Sequence, residues 1–203
     1  MNHACTLPGF EHVNKFFDSK SKNTIAKLQP GEFYVTEGNE YITTTLGSCI
    51  AACITDKVIG VGGMNHFMLP IKASQNNGAG NELITRYGTY AMEHLINEIF
   101  KHGGSRRNLE IKIFGGGKIN SAMSGVGQKN IIFVKKFLCD EGYTVTSEDL
   151  GDVYPRKIKY HPKTGKVLLK RLPSILCEKI AKREESLQFA NEVPEEGGEI
   201  DLF

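Results

Sequence analysis

Cys49 and His66 have the residue types and the spacing for acyl-transfer chemistry. The apolar run Cys49-Ile50-Ala51-Ala52-Cys53-Ile54 is bounded by Thr55-Asp56-Lys57, and a second run resumes at Val58 and continues through Met64-Asn65-His66-Phe67-Met68-Leu69. Two short apolar runs on either side of a polar turn predict a hairpin of largely buried strands. A loop centred on Asp56-Lys57 pairs residue 55 with 58 and hence 49 with 64, which leaves His66 diagonal to Cys49 on the same face. A thiol of pKa about 8.5 is mostly protonated at neutral pH, and an adjoining imidazole can lower that pKa and take the proton. Spacing alone also admits a packing role, with Cys49 a small core residue and His66 a satisfied buried histidine. Gly47-Ser48 ahead of Cys49 adds a backbone that can turn sharply and aim N–H groups at one point, as an oxyanion site requires, although a glycine after a strand also serves as an ordinary turn.

The elements that must position these residues follow from pattern. Phe33–Thr36 and Tyr41–Leu46 are rich in β-branched and aromatic residues and predict strands broken by Gly38-Asn39, while residues 1–30 are polar and mixed and read as an irregular arm ending at Pro30-Gly31. Leu83, Ile84, Tyr87, Ala91, Leu95 and Ile99 recur at helical spacing up to Gly103-Gly104. Leu109–Phe114 alternates as a strand, Gly115-Gly116-Gly117 breaks it, and residues 130–141 predict a second helix. Further strands are expected at 143–146, 156–160 and 166–172, the last two as a hairpin around His161–Gly165, and a charged helix at 175–190. Residues 192–201 hold five carboxylates with no basic residue, which predicts a mobile acidic tail.

Composition narrows the function. With 25 Lys and Arg against 23 Asp and Glu and no block of like charge, little drives the chain toward nucleic acid. The longest apolar run, Cys49–Ile54, is far short of the roughly 20 residues that cross a bilayer, and the first residues lack a signal-peptide core, so a cytoplasmic address is expected. Five scattered cysteines read as free thiols, and six histidines without clustering give no metal site, so no cofactor is expected. Cys53, four residues beyond Cys49, is read as an inert core thiol rather than a resolving one. Phe114-Gly115-Gly116-Gly117-Lys118 lacks the spacing of a phosphate loop and reads as a tight turn.

Thr43-Thr44-Thr45-Leu46-Gly47-Ser48-Cys49 together with Gly62-Gly63-Met64-Asn65-His66-Phe67-Met68-Leu69-Pro70 closely resembles the paired signature of the CheD family of chemoreceptor glutamine deamidases. The resemblance runs from about Pro8 to Leu172, takes in Phe114–Gly117 and Gly125–Asn130, and returns at the ending Gly198–Phe203. It implies a catalytic Cys, a His seventeen positions later and a Thr six positions earlier, which fall on Cys49, His66 and Thr43, with Gly47 and Ser48 supplying oxyanion or substrate contacts. On this resemblance Thr43 would hold the imidazole's second nitrogen, Thr44 would point to the opposite strand face, and Thr45 is a substitute for Thr43. The implied reaction converts receptor glutamines to glutamates through a glutamyl thioester, releasing ammonia.

The resemblance also implies a single layered α/β domain with mixed or antiparallel sheets and two main helices, similar to CheD and the deamidase domain of cytotoxic necrotizing factors. The chain then divides into an arm at 1–30, a deamidase domain at 31–173, and a charged helix with acidic tail at 174–203. Implied partners are the cytoplasmic helices of chemoreceptors, at whose arrays the protein would work, and a chemotaxis phosphatase of the CheC type, conditional on its presence in the organism. Two rivals share these residues: another Cys-His acyl-transfer enzyme, and a non-catalytic chemotaxis adaptor.

Overall fold

The computed structural model describes residues 6–70, 79–119 and 125–190. It contains two five-stranded mixed sheets and three α-helices. The first sheet has the order β1 (Asn14–Asp18), β2 (Asn23–Lys27), β4 (Tyr41–Leu46), β9 (Arg156–His161), β10 (Lys166–Arg171), and all its neighbours are antiparallel except β2 and β4. The second has the order β3 (Phe33–Thr36), β6 (Gly62–Asn65), β5 (Ile50–Asp56), β7 (Leu109–Gly115), β8 (Val145–Leu150), with β7 and β8 parallel. The helices are α1 (Ala79–Lys101), α2 (Val126–Asp140) and α3 (Cys177–Ala190). None of the described helices is long and apolar enough to cross a membrane.

Strand β5 explains the layering, because all seven of its residues are buried. On one face of the second sheet, Asn65 donates its amide N–H to the Ala91 carbonyl of α1 at 2.9 Å, and a Cβ on Gly63 would meet Leu95. On the other face, Thr55 donates to the Pro162 carbonyl at 2.7 Å just beyond β9. Helices α1 and α2 therefore cover one side and the first sheet the other, which is why β5 reads as an unbroken apolar run rather than an alternating one.

Residues 6–30 are not an irregular arm. They form the β1–β2 hairpin, whose register runs from Asn14↔Lys27 to Asp18↔Asn23 and which extends the first sheet. The polar sequence hides this because β1 is an edge strand with Phe16 and Phe17 exposed. The hairpin is held by β2, which buries Ile25 and Ala26 and pairs with β4, and by flanking contacts: Phe10 packs edge-on against Phe33 and Tyr34 at 5.2 Å, and Lys15 reaches the buried Glu40 at 3.2 Å. Helix α2 begins at Val126, four residues before the expected start, behind Gly125 at φ +90°. The other strands and helices fall where the periodicity predicts within a few residues, and the 192–203 tail lies outside the described residues.

Candidate active site

The hairpin that carries Cys49 and His66 exists, in a different register. Cys53 pairs with Met64, Thr55 with Gly62, and Ile50 with Phe67. The turn is longer than expected because the Asp56 carboxylate accepts the N–H groups of Val58 at 2.8 Å and Ile59 at 3.2 Å, and the Gly60 N–H returns to the Asp56 carbonyl at 2.9 Å. Burial alone would raise the Asp56 pKa, but donors from Ser105, Val58, Ile59 and Asn108 outweigh it and hold the carboxyl below its ordinary value. The shift relative to the expected pairing is an even number of residues, so no side chain changes face. Continuing this register places Cys49 opposite Met68, and His66 is again its diagonal neighbour, from the other side.

Cys49 is fully buried, and its Sγ, a ring nitrogen of His66 and a carboxylate oxygen of Glu184 all lie within 4.8 Å of one another. Thr44, not Thr43, holds the imidazole, with Oγ1 2.7 Å from His66 Nδ1. The Thr43 hydroxyl instead donates to the Ile158 carbonyl on β9 at 2.7 Å, within its own sheet. The expectation for Thr43 fails because β4 belongs to the opposing sheet, and it is the even-numbered Thr44 that faces His66 across the gap. Thr45 is half-buried and lines the cavity beside the imidazole.

The Thr44 contacts also assign the tautomer. Its hydroxyl lies 3.0 Å from the Leu28 carbonyl, which can only accept, so the single hydroxyl proton goes there and the oxygen accepts from His66 Nδ1–H. Nε2 is then left as the basic nitrogen. It is buried without a hydrogen-bond partner among the described residues. Burial and, to a lesser degree, the charge of Arg183 push the His66 pKa from 6.5 down to about 3, so the ring is neutral.

The backbone ahead of Cys49 is fixed from behind. Gly116 donates its N–H to the Cys49 carbonyl at 2.8 Å and Gly117 to the Gly47 carbonyl at 2.7 Å. Gly115 sits at φ +118° with its Cα face against the Cys49 carbonyl, where a Cβ would lie 2.0 Å away, so only glycine fits there. Asn130 of α2 donates to the Ser48 carbonyl at 2.8 Å and accepts the Leu69 N–H at 2.9 Å, tying the two ends of the site together. The glycine run is thus a tight turn, as expected, and its partner is the cysteine loop.

With their carbonyls turned back, the loop's N–H groups face forward. Gly47 and Ser48 donate to Glu184 Oε1 and Oε2 at 2.8 and 3.0 Å, and the Ser48 hydroxyl donates to Oε2 at 2.6 Å. Two N–H groups and a hydroxyl converging beside a thiol are a device for holding the oxygen of a carboxyl or carboxamide group. Cys49, His66 and Glu184 also form a group with the ligand types of a metal site, but the carboxylate is already taken up by three donors. The Cys49 thiol is held well above its ordinary pKa, first by burial and then by the charge of Glu184, so in this conformation the imidazole does not create a thiolate. Against the site lies a cavity of about 20 Å³, room for one water molecule, lined by Thr44, His66, Arg183 and Glu184.

Sequence reasoning missed Thr44's role, Asn130 and Glu184. The available signal for Glu184 is that Cys177, Ile180, Ala181 and Glu184 form one helical stripe, which puts a carboxylate where an apolar residue belongs. Cys53 is buried opposite Met64 and beside Tyr160, with its pKa raised by burial, as an inert core thiol would be. His94 packs against Phe33 and Tyr90, and His102 pairs with Glu98 and Glu37, both away from the site.

Residues 68–171 match the family model described as CheD chemotactic sensory transduction. The chain is 45% identical to the probable chemoreceptor glutamine deamidase CheD of Halorhodospira halophila, over 97% of this chain and 93% of the relative. It is 48% identical to the protein of the same description from Hahella chejuensis (98% and 94%) and 47% identical to that from Methylobacillus flagellatus (94% and 95%). The family model begins just after His66, whereas these pairings span nearly the whole chain.

Proposed function

This chain belongs to the CheD family, and on that premise we propose that it deamidates glutamine side chains on the cytoplasmic helices of chemoreceptors, with Cys49 as nucleophile and His66 as proton carrier. The observation that carries this reading is the convergence of the Gly47 and Ser48 N–H groups on a carboxylate beside Cys49 Sγ, next to an imidazole whose basic nitrogen has no hydrogen-bond partner among the described residues. Once a glutamine occupies the site, the thiol proton passes to His66 Nε2 and Sγ bonds to the amide carbon. The oxyanion is held by the Gly47 and Ser48 N–H groups. His66 returns the proton to the amide nitrogen, the C–N bond breaks, and ammonia leaves a glutamyl thioester.

Water then gives a proton to His66 and its oxygen to the acyl carbon. The C–S bond breaks, the proton returns to sulfur, and the net change is glutamine plus water to glutamate plus ammonia. Thr44 is a positioning residue: by accepting from Nδ1–H it keeps the lone pair on Nε2 through both half-reactions. The kinship also implies work at receptor arrays and a CheC-type phosphatase as a further partner.

The test is to incubate the protein with a receptor cytoplasmic fragment and measure ammonia together with the fragment's mass. Deamidation adds about 1 Da per site, and about 3 Da in water labelled with heavy oxygen, because the thioester is opened by solvent. Peptide cleavage or amine incorporation gives other masses and would transfer the site to the rival acyl-transfer reading. Receptor binding without any mass change would favour the adaptor.

A further inference from the structure

Helix α3 is an unusual neighbour for a core. Among its described side chains only Ala181 and Glu184 are buried, and the rest of the helix is half-buried or exposed. Taking a carboxylate out of water is expensive unless hydrogen bonds replace the lost hydration, and Glu184 finds three donors: two backbone N–H groups and the Ser48 hydroxyl. Those are the groups that the proposed chemistry needs for the substrate's oxygen. Glutamate on a helix is also what the reaction makes from a glutamine on a receptor helix.

Resting on the deamidase reading above, we infer that α3 is a built-in product analogue, which occupies the receptor-helix groove and shuts the enzyme by seating the Glu184 carboxylate where the substrate's amide group must go. Cys49 is 0% exposed and Glu184 fills the space before it, so no glutamine reaches the sulfur until this side chain withdraws. The same contact disarms the nucleophile. Burial, and after it the negative charge of Glu184, hold the thiol protonated, and Arg183 beside His66 adds to the burial that keeps the imidazole neutral. Withdrawal of α3 exposes the thiol to water, removes both charges, and leaves the thiol–imidazole pair free to ionise.

The occupant that replaces α3 is of the same kind, an amphipathic helix presenting a long side chain that ends in a carboxamide. The seat is formed by Leu28, Pro30, Thr44, Thr45 and His66, and Ile180 lies against it with Glu184. Receptor helix and α3 therefore compete for one groove, and substrate binding opens the site it enters. If the open form is about one part in ten to one part in a thousand, the latch lowers receptor turnover at limiting substrate by the inverse of that fraction.

The experiment uses the full chain with Glu184→Ala and, separately, Ala181→Glu, which charges the buried face of α3 without touching the donors. Two readouts are taken: initial deamidation of a receptor cytoplasmic fragment, and the rate at which iodoacetamide alkylates Cys49, followed by peptide mapping because Cys139 and Cys177 also react. Both rates are expected to rise in both variants by about tenfold or more. Unchanged alkylation in both variants overturns the latch, and so does a fall in deamidation with alkylation unaltered, which would make Glu184 part of the working site. Faster alkylation with no receptor deamidation by any form would keep the latch and overturn the receptor reading. Equal deamidation and equal alkylation in all forms would do the reverse.

Discussion

The floor and the cover of the site are built by opposite rules. Thr44, Ser48, Cys49 and His66 stand at the seam between two sheets, on or beside strands whose residues are nearly all buried, and their backbone is tied to the Gly115–Gly117 turn and to Asn130. Helix α3 above them is charged, half-buried or exposed at every described side chain but Ala181 and Glu184, and joined to the body through Pro173 and a single 3₁₀ turn. Buried, hydrogen-bonded strands open only with global unfolding, whereas an element with few buried apolar contacts opens at small cost. On the proposed reading the chemistry is held on the part of the molecule that opens last, and access is controlled by the part that opens first.

The largest effect that would test this division comes from the floor. Cys49→Ala should lower receptor deamidation by about four orders of magnitude or more with the fold intact by circular dichroism, since the nucleophile has no substitute. A residual rate near that of the parent protein would mean that another group attacks. Next comes the cover, where Glu184→Asp should fall between the parent and Glu184→Ala in Cys49 alkylation. Its carboxylate keeps the charge but is one methylene short of the Gly47 and Ser48 N–H groups, so the latch is weakened rather than lost. An aspartate variant as open as Glu184→Ala would show that charge alone does not hold α3.

Within the floor the two threonines separate orientation from structure. Thr44→Ala should reduce kcat/KM by about tenfold to a hundredfold, or ~1.4–2.7 kcal/mol, with recovery in Thr44→Ser, because loss of the acceptor at Nδ1 frees the ring to rotate or change tautomer. Thr43→Ala should leave kinetics nearly unchanged and cost about 1 kcal/mol in urea unfolding, the value of one buried hydrogen bond. Equal kinetic losses in the two would contradict the contacts seen.

A further expected effect is one of pH, read in stability rather than turnover. His66 is held at about 3 when folded, against 6.5 when free. Below 6.5 the unfolded chain takes up a proton that the folded chain refuses, so stability falls as pH drops through 6.5 toward 3 and is unaffected by this group above it. His66→Gln lacks that term, and its urea midpoint should decline less between about pH 7 and about pH 5 than the parent's.

How much was legible follows from the same division. Strand and helix periods place most elements, and Cys49 and His66 come together even though the hairpin turn is longer than its sequence suggests, because an even shift preserves the faces. Three consecutive threonines carry no signal for which one meets the imidazole; that depends on the stacking of β4 against the other sheet, a contact between segments distant in pairing. The β1–β2 hairpin is hidden by its polar edge, and only Ile25 and Ala26 of β2, with Phe10, Lys15 and Glu40 beside it, tie it to the core, without an alternating pattern. Glu184 is invisible to helix propensity, and only its place on an apolar stripe distinguishes it from the carboxylates around it.

The clamp that Gly116 and Gly117 place on the Cys49 and Gly47 carbonyls takes no bond from α3. On the latch reading, departure of the helix would therefore leave the forward-facing amides at the same angles, and no loop would have to be rebuilt before a first turnover.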